Sequence, residues 1–107
     1  MFRTLLCFLV CFSLTVAYAQ DDIAEVRTMP LGTTVTVQGV ATNGSSLGII
    51  RYMQDETGAI AVYPGAGSVD DFPDSVQRGD LVEVTGTLKD YNGLLEIDPV
   101  LSYNVIS

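Results

Sequence analysis

The sequence predicts an all-β protein, a small Greek-key barrel of five short strands with one brief helical connector between the third and the fourth. Three observations lead there. Short alternating, β-branched runs recur along the chain and fall into a group of three and a group of two. Between the groups the pattern breaks at Pro64-Gly65-Ala66-Gly67. And two stretches, GTTVTVQGV from Gly32 and GDLVEVTGT from Gly79, follow one template, G-x-x-V-x-V-x-G, in which a glycine stands where a strand should continue.

The elements follow in order. Ile23 to Arg27 reads as a short helical turn, with Asp21 or Asp22 as its N-cap and Pro30-Leu31-Gly32 ending it. Val35 to Thr42 alternates and is the first strand, and Asn43-Gly44-Ser45-Ser46 is a turn. Ile49 to Gln54 makes the second strand, Asp55 to Gly58 a tight hairpin connection, and Ala59 to Tyr63 the third strand. Ser68 to Gln77 opens on a cap-like serine followed by acids, but Pro73 interrupts it, so only a turn or two of helix is expected. Leu81 to Lys89 is the fourth strand, Asp90-Tyr91-Asn92-Gly93 a hairpin turn, and Leu94 to Val105 the fifth strand, with Pro99 marking a bulge or an exposed edge. Five strands with a single connector after the third are the order of the OB-fold.

The first 19 residues stand apart. Arg3 supplies a positive start, Leu5 to Val16 is a nearly unbroken apolar run, and Ala17-Tyr18-Ala19 gives small residues before a cut at Gln20. The run falls short of the roughly 20 residues that a membrane-spanning helix needs, so a cleaved export signal is expected rather than a retained anchor. This makes residues 1–19 a signal peptide and residues 20–107 a single OB-fold domain, exported to a periplasm or beyond the cell. Cleavage removes Cys7 and Cys11, the only cysteines, so the core must hold without disulfides. The formal charge of the whole chain is −8, and losing Arg3 makes the domain more acidic still. Arg27, Arg51, Arg78 and Lys89 are too scattered to form the basic stripe that nonspecific nucleic-acid binding uses.

The paired glycines have a mechanical reading. A long strand in a small barrel bends sharply to join both halves of the sheet, and a glycine relieves that bend. Beyond Gly39 and Gly86 the apolar positions are expected to resume at Val40, out of phase with Val35 and Val37, and at Leu88. The first and fourth strands are therefore expected to do similar work where the barrel closes.

IAEVRTMPLGTTVTVQGVAT, then YMQDETGAIAVY, then GDLVEVTGTLKDYNGLLEI resemble the OB-fold module of secreted bacterial proteins, found beside domains of the endonuclease/exonuclease/phosphatase type. The resemblance runs from Ile23 to Ile106, and its most specific part is Tyr52-Met53-Gln54-Asp55 followed by Thr57-Gly58. A looser similarity is to small exported stand-alone OB-fold proteins associated with stress tolerance. Either resemblance implies the fold and leaves the ligand open.

The residue inventory points to binding and away from catalysis. There is no histidine, which removes serine–histidine and cysteine–histidine chemistry and imidazole metal sites. The adjacent carboxylates Asp55/Glu56 and Asp70/Asp71 sit in turns, where neighbours point apart into solvent. Asp70, Asp71 and Asp74 lack the order of a calcium loop, so no metal and no cofactor is expected. OB-folds bind on the face of strands two and three, between the loops joining strands one to two and four to five. If Met53, Ile60 and Val62 point inward, then Tyr52, Gln54, Ala61 and Tyr63 point outward. The ligand-contacting set is accordingly Tyr52, Gln54 and Tyr63, with Tyr91 and Asn92 at the four-five tip and Arg51 near the rim. Arg51 shares the inward parity of Met53 and reaches a ligand only there. Asp55 and Thr57 are expected to form the turn. Phe72 is expected to plug one end of the barrel. The partners expected are single-stranded nucleic acid or an oligosaccharide, or a secreted enzyme to which the domain is an accessory.

Overall fold

Five strands close into one barrel in the order β1-β2-β3-β5-β4. A computed structural model describes residues 20–65 and 71–107. The export signal expected over residues 1–19, and the start of the connector with Ser68 and Asp70, lie outside the described residues. Along the chain run α1 (Ile23–Val26), β1 (Thr34–Ala41), a 3-10 turn (Ser45–Leu47), β2 (Arg51–Gln54), β3 (Ala59–Val62), α2 (Phe72–Ser75), β4 (Leu81–Tyr91) and β5 (Leu94–Val105). All pairings are antiparallel except β3 with β5. No described helix is long and apolar enough to cross a membrane.

The repeated template is a pair of strands facing each other. Val37 lies opposite Val84, Val35 opposite Gly86 and Gly39 opposite Val82, so the two copies run antiparallel about a local two-fold at Val37/Val84. Each glycine marks a bend. At Gly39, β1 passes from β4 to β2, since the next residue pairs with both Leu81 and Gln54. A Cβ at Gly39 would come within 2.8 Å of the Gln54 carbonyl oxygen. At Gly86 the ladder with β5 shifts register, as expected around Pro99, and a Cβ there would collide with Ile97 Cγ2 and come within 2.5 Å of the Pro99 carbonyl oxygen. No side chain fits either crossing, yet the inward phase does not change there as expected: it runs on through Gly39 to Ala41, leaving Val40 exposed, and through Gly86 to Leu88.

Val35, Val37, Met53, Ile60, Val62, Val82 and Val84 fill the interior, as strand parity requires. Phe72 joins them, its ring set edge-on against Tyr103 at 5.2 Å. Three local expectations change. Asp22 occupies the N-cap position of α1, but its side chain makes no capping bond. The free amides are met from the β2–β3 turn instead: Ile23 N donates to Asp55 Oδ2 and Ala24 N to Thr57 Oγ1, both at 3.0 Å. Pro73 stands in the first turn of α2, where its missing N–H costs nothing, so it starts that helix rather than interrupting it. Finally, β2 begins at Arg51 rather than Ile49, because the 3-10 turn and Gly48, at φ +86°, still redirect the chain there.

Candidate functional site

Two charged side chains are buried in the described structure, Arg51 and Glu96. Arg51 follows the inward parity of Met53, and at 0% exposure it is not a rim contact. Its Nε donates to the Val76 carbonyl at 2.8 Å and its Nη2 to that of Pro73 at 2.6 Å, while Nη1 donates to Gly48 at 2.7 Å and Ile50 at 2.9 Å. One guanidinium thus ties α2 and its C-terminal end to the β1–β2 loop, with four of its five N–H groups given to backbone carbonyls and the side chain fully buried. Burial lowers its pKa from the ordinary arginine value, with Asp74 pulling the other way, yet arginine stays charged at any working pH.

Glu96 sits on the opposite side of the sheet wall. Pairing sets Tyr52 beside Ala61, Ala61 beside Glu96 and Glu96 beside Lys89, one row of outward residues crossing β2, β3, β5 and β4. This row borders a groove of about 470 Å³. Leu47 and Ile49 of the β1–β2 loop line it together with Tyr91 and Leu94 of the β4–β5 hairpin. Tyr63, just past β3, completes the apolar lining, and Glu96, Asp98 and Lys89 supply its charges. Lys89 Nζ lies 3.3 Å from Asp98 Oδ2 in a pair whose lysine is 53% exposed. Glu96 is 3% exposed, and no described residue donates a hydrogen bond to its carboxylate. Burial, then the neighbouring Asp98, raise its pKa above the ordinary glutamate value, and Lys89 opposes them.

The residues expected to form one contact surface therefore divide. Tyr63 (36% exposed) and Tyr91 (57% exposed) meet in the groove. Tyr52 is half-buried and outside its lining, with its amide donating to Asn43 Oδ1 at 2.7 Å. Asn92 is exposed at the hairpin tip, where φ +52° makes it the turn former beside Gly93. Gln54 faces a second, larger hollow of about 660 Å³, shared with Gln38, Asp22 and Asp55. Asp55 is already engaged: its carboxylate takes hydrogen bonds from Thr57 Oγ1 and from the amides of Ile23, Thr57 and Gly58. Burial alone would raise its pKa, and those bonds outweigh the burial and hold it below the ordinary value.

No protein-family model and no curated protein sequence matches this chain. Among solved structures it is similar to the hypothetical protein ygiW from E. coli, with a TM-score of 0.66 and 19% identity over 84% of this chain and 92% of that one. That likeness shows the fold. This is a small OB-fold protein.

The sequence reading missed Glu96, Asp98, Leu47, Ile49 and Leu94, and gave Lys89 no role in the site. A two-residue Asn92-Gly93 turn sets Tyr91 opposite Leu94 and, two steps back, Lys89 opposite Glu96. Counting outward from that turn finds the pair. The other neighbour of Glu96 in the sheet is β3, whose parallel pairing no local pattern announces.

Proposed function

We propose that this chain is an exported, non-catalytic OB-fold binding module that holds an extended oligomeric ligand in the groove between the β1–β2 loop and the β4–β5 hairpin. The observation that carries this reading is where apolar surface is exposed. Of the nine large apolar side chains exposed among the described residues, five line this one groove: Leu47, Ile49, Tyr63, Tyr91 and Leu94. Exposed apolar surface gathered in one place marks a contact site, and the location is where OB-folds take their ligands. Tyrosine faces also suit stacking against sugars, bases or peptide groups. Two carboxylates against one lysine in the groove repel phosphate, which favours an uncharged or basic ligand over single-stranded nucleic acid. The same apolar lining supports a role as an accessory that holds a secreted enzyme.

Titrating the purified protein with single-stranded DNA, oligosaccharides, peptides and exported-fraction proteins tests the reading. The ligand that binds is expected to lose about tenfold in affinity in Tyr63→Ala and again in Tyr91→Ala. Unchanged affinity in both variants moves the site off the groove. Tight DNA binding at low salt overturns the charge argument.

A further inference from the structure

Glu96 is the buried charge that this fold leaves without a partner. It lies on the outward row of the sheet, 3% exposed, with no hydrogen bond from any described residue, and it borders the groove. Among the described residues no buried side-chain oxygen is both sealed from solvent and unbonded, so the carboxylate keeps its opening to the groove. The nearest cation, Lys89, reaches across to Asp98 instead. A buried carboxylate without a bonded partner is costly, and the cost is removed when a cation meets it.

We propose that the groove takes a basic side chain, a lysine or arginine on an extended apolar segment of a partner protein, with its charged head set against Glu96 and Asp98. This rests on the binding reading above and narrows it. A lysine or arginine carries a long aliphatic stem beneath its charge, which matches a groove lined both by the apolar Leu47, Ile49, Tyr91 and Leu94 and by the carboxylates of Glu96 and Asp98. Tyr63 and Tyr91 add ring faces to which a cation is drawn. A divalent metal is a poor occupant, because calcium needs six to eight oxygens and this lining offers carboxylates only at Glu96 and Asp98, with the Lys89 ammonium beside them. A small polyamine would leave the apolar lining uncovered, whereas neighbouring apolar side chains of a strand-like segment cover it. The −8 charge of the chain attracts a basic partner from a distance.

The test uses two seven-residue peptides, acetylated and amidated, of alternating leucine and serine, with either lysine or glutamine at the centre. Binding is followed by the NMR shifts of Tyr63 and Tyr91. The lysine peptide is expected to bind at least about tenfold tighter than the glutamine peptide. In Glu96→Gln that preference disappears and both peptides bind as the glutamine peptide binds the natural protein. In Lys89→Gln, which removes the internal competitor for Asp98, the preference grows. Equal binding of the two peptides by the natural protein, or a preference that survives Glu96→Gln, overturns the inference, as does no binding of either at about 1 mM. If both peptides shift Tyr63 and Tyr91 equally, the groove is a binding site and only the basic side chain is lost. If a ligand from the broader panel binds without moving those tyrosines, the groove reading itself fails.

Discussion

Arg51 and Glu96 are the two buried charges among the described residues of this barrel, and the protein treats them in opposite ways. Arg51 gives four hydrogen bonds to backbone carbonyls and links two segments that are distant in sequence. Glu96 takes none from the described residues and stands at the edge of a groove. A buried charge is tolerated where its bonds are met, as at Arg51. At Glu96 the same burial makes the site poised: it gains most when something outside the chain supplies the missing cation.

Substitution is expected to separate the two sharply. Arg51→Met, by leaving the carbonyls of Gly48, Pro73 and Val76 without their donor while Ile50 keeps only that of Asn43, is expected to cost about 3–5 kcal/mol, read from chemical denaturation. Arg51→Lys is expected to recover only part of that, since an ammonium cannot span four acceptors set around a planar fork. Asp55 offers a second contrast, a carboxylate whose bonds are met. Asp55→Asn is expected to cost about 1 kcal/mol at pH 7 after solvent screening. Because the folded pKa of Asp55 is depressed, its contribution is present above the ordinary aspartate value of about 3.9 and is lost as pH falls through the folded value, so the two proteins converge in acid.

Glu96→Gln is expected to show the smallest loss of all, and at neutral pH no loss. The folded pKa of Glu96 is raised, so the stability this group contributes is complete below the ordinary glutamate value of about 4.3 and is lost as pH rises through the folded value. The variant is therefore expected to be at least as stable as the natural protein at pH 7, with the gap closing towards pH 4. Melting curves at the two pH values check this. A destabilised Glu96→Gln at pH 7 would mean that Glu96, like Arg51, is bonded within the fold.

The fold was legible in the sequence because its signals are local. Alternation at Val35/Val37 and Val82/Val84, the Asn92-Gly93 turn, and glycines at 39 and 86 each report a constraint set within a few residues. Even the repeated template was visible, though its meaning was not: it is the two-fold pairing of β1 with β4, and pairing partners are chosen across the chain. The site was legible only in part for the same reason. Tyr63 and Tyr91 were found by strand parity and by the turn. Arg51 had the right parity, but two of its four carbonyl partners come from a connector more than 20 residues away. Asp55 looked like a turn former, and is one, but its reach to the amide of Ile23 is tertiary. Glu96 looked like an ordinary outward acid in an alternating strand, and its burial beside the groove depends on elements brought together across the chain, the parallel neighbour β3 among them.

The most direct measurement is the titration of the Glu96 carboxyl by NMR, alone and with the lysine peptide. Free protein is expected to show a pKa above the ordinary glutamate value, set by burial and by Asp98. With the lysine peptide bound it is expected to fall, because a cation favours the ionised form, and with the glutamine peptide it is expected to stay. A Glu96 that titrates as an ordinary glutamate when free, or that does not respond to the lysine peptide when that peptide is bound, would contradict the assignment of this residue as the unspent charge of the groove.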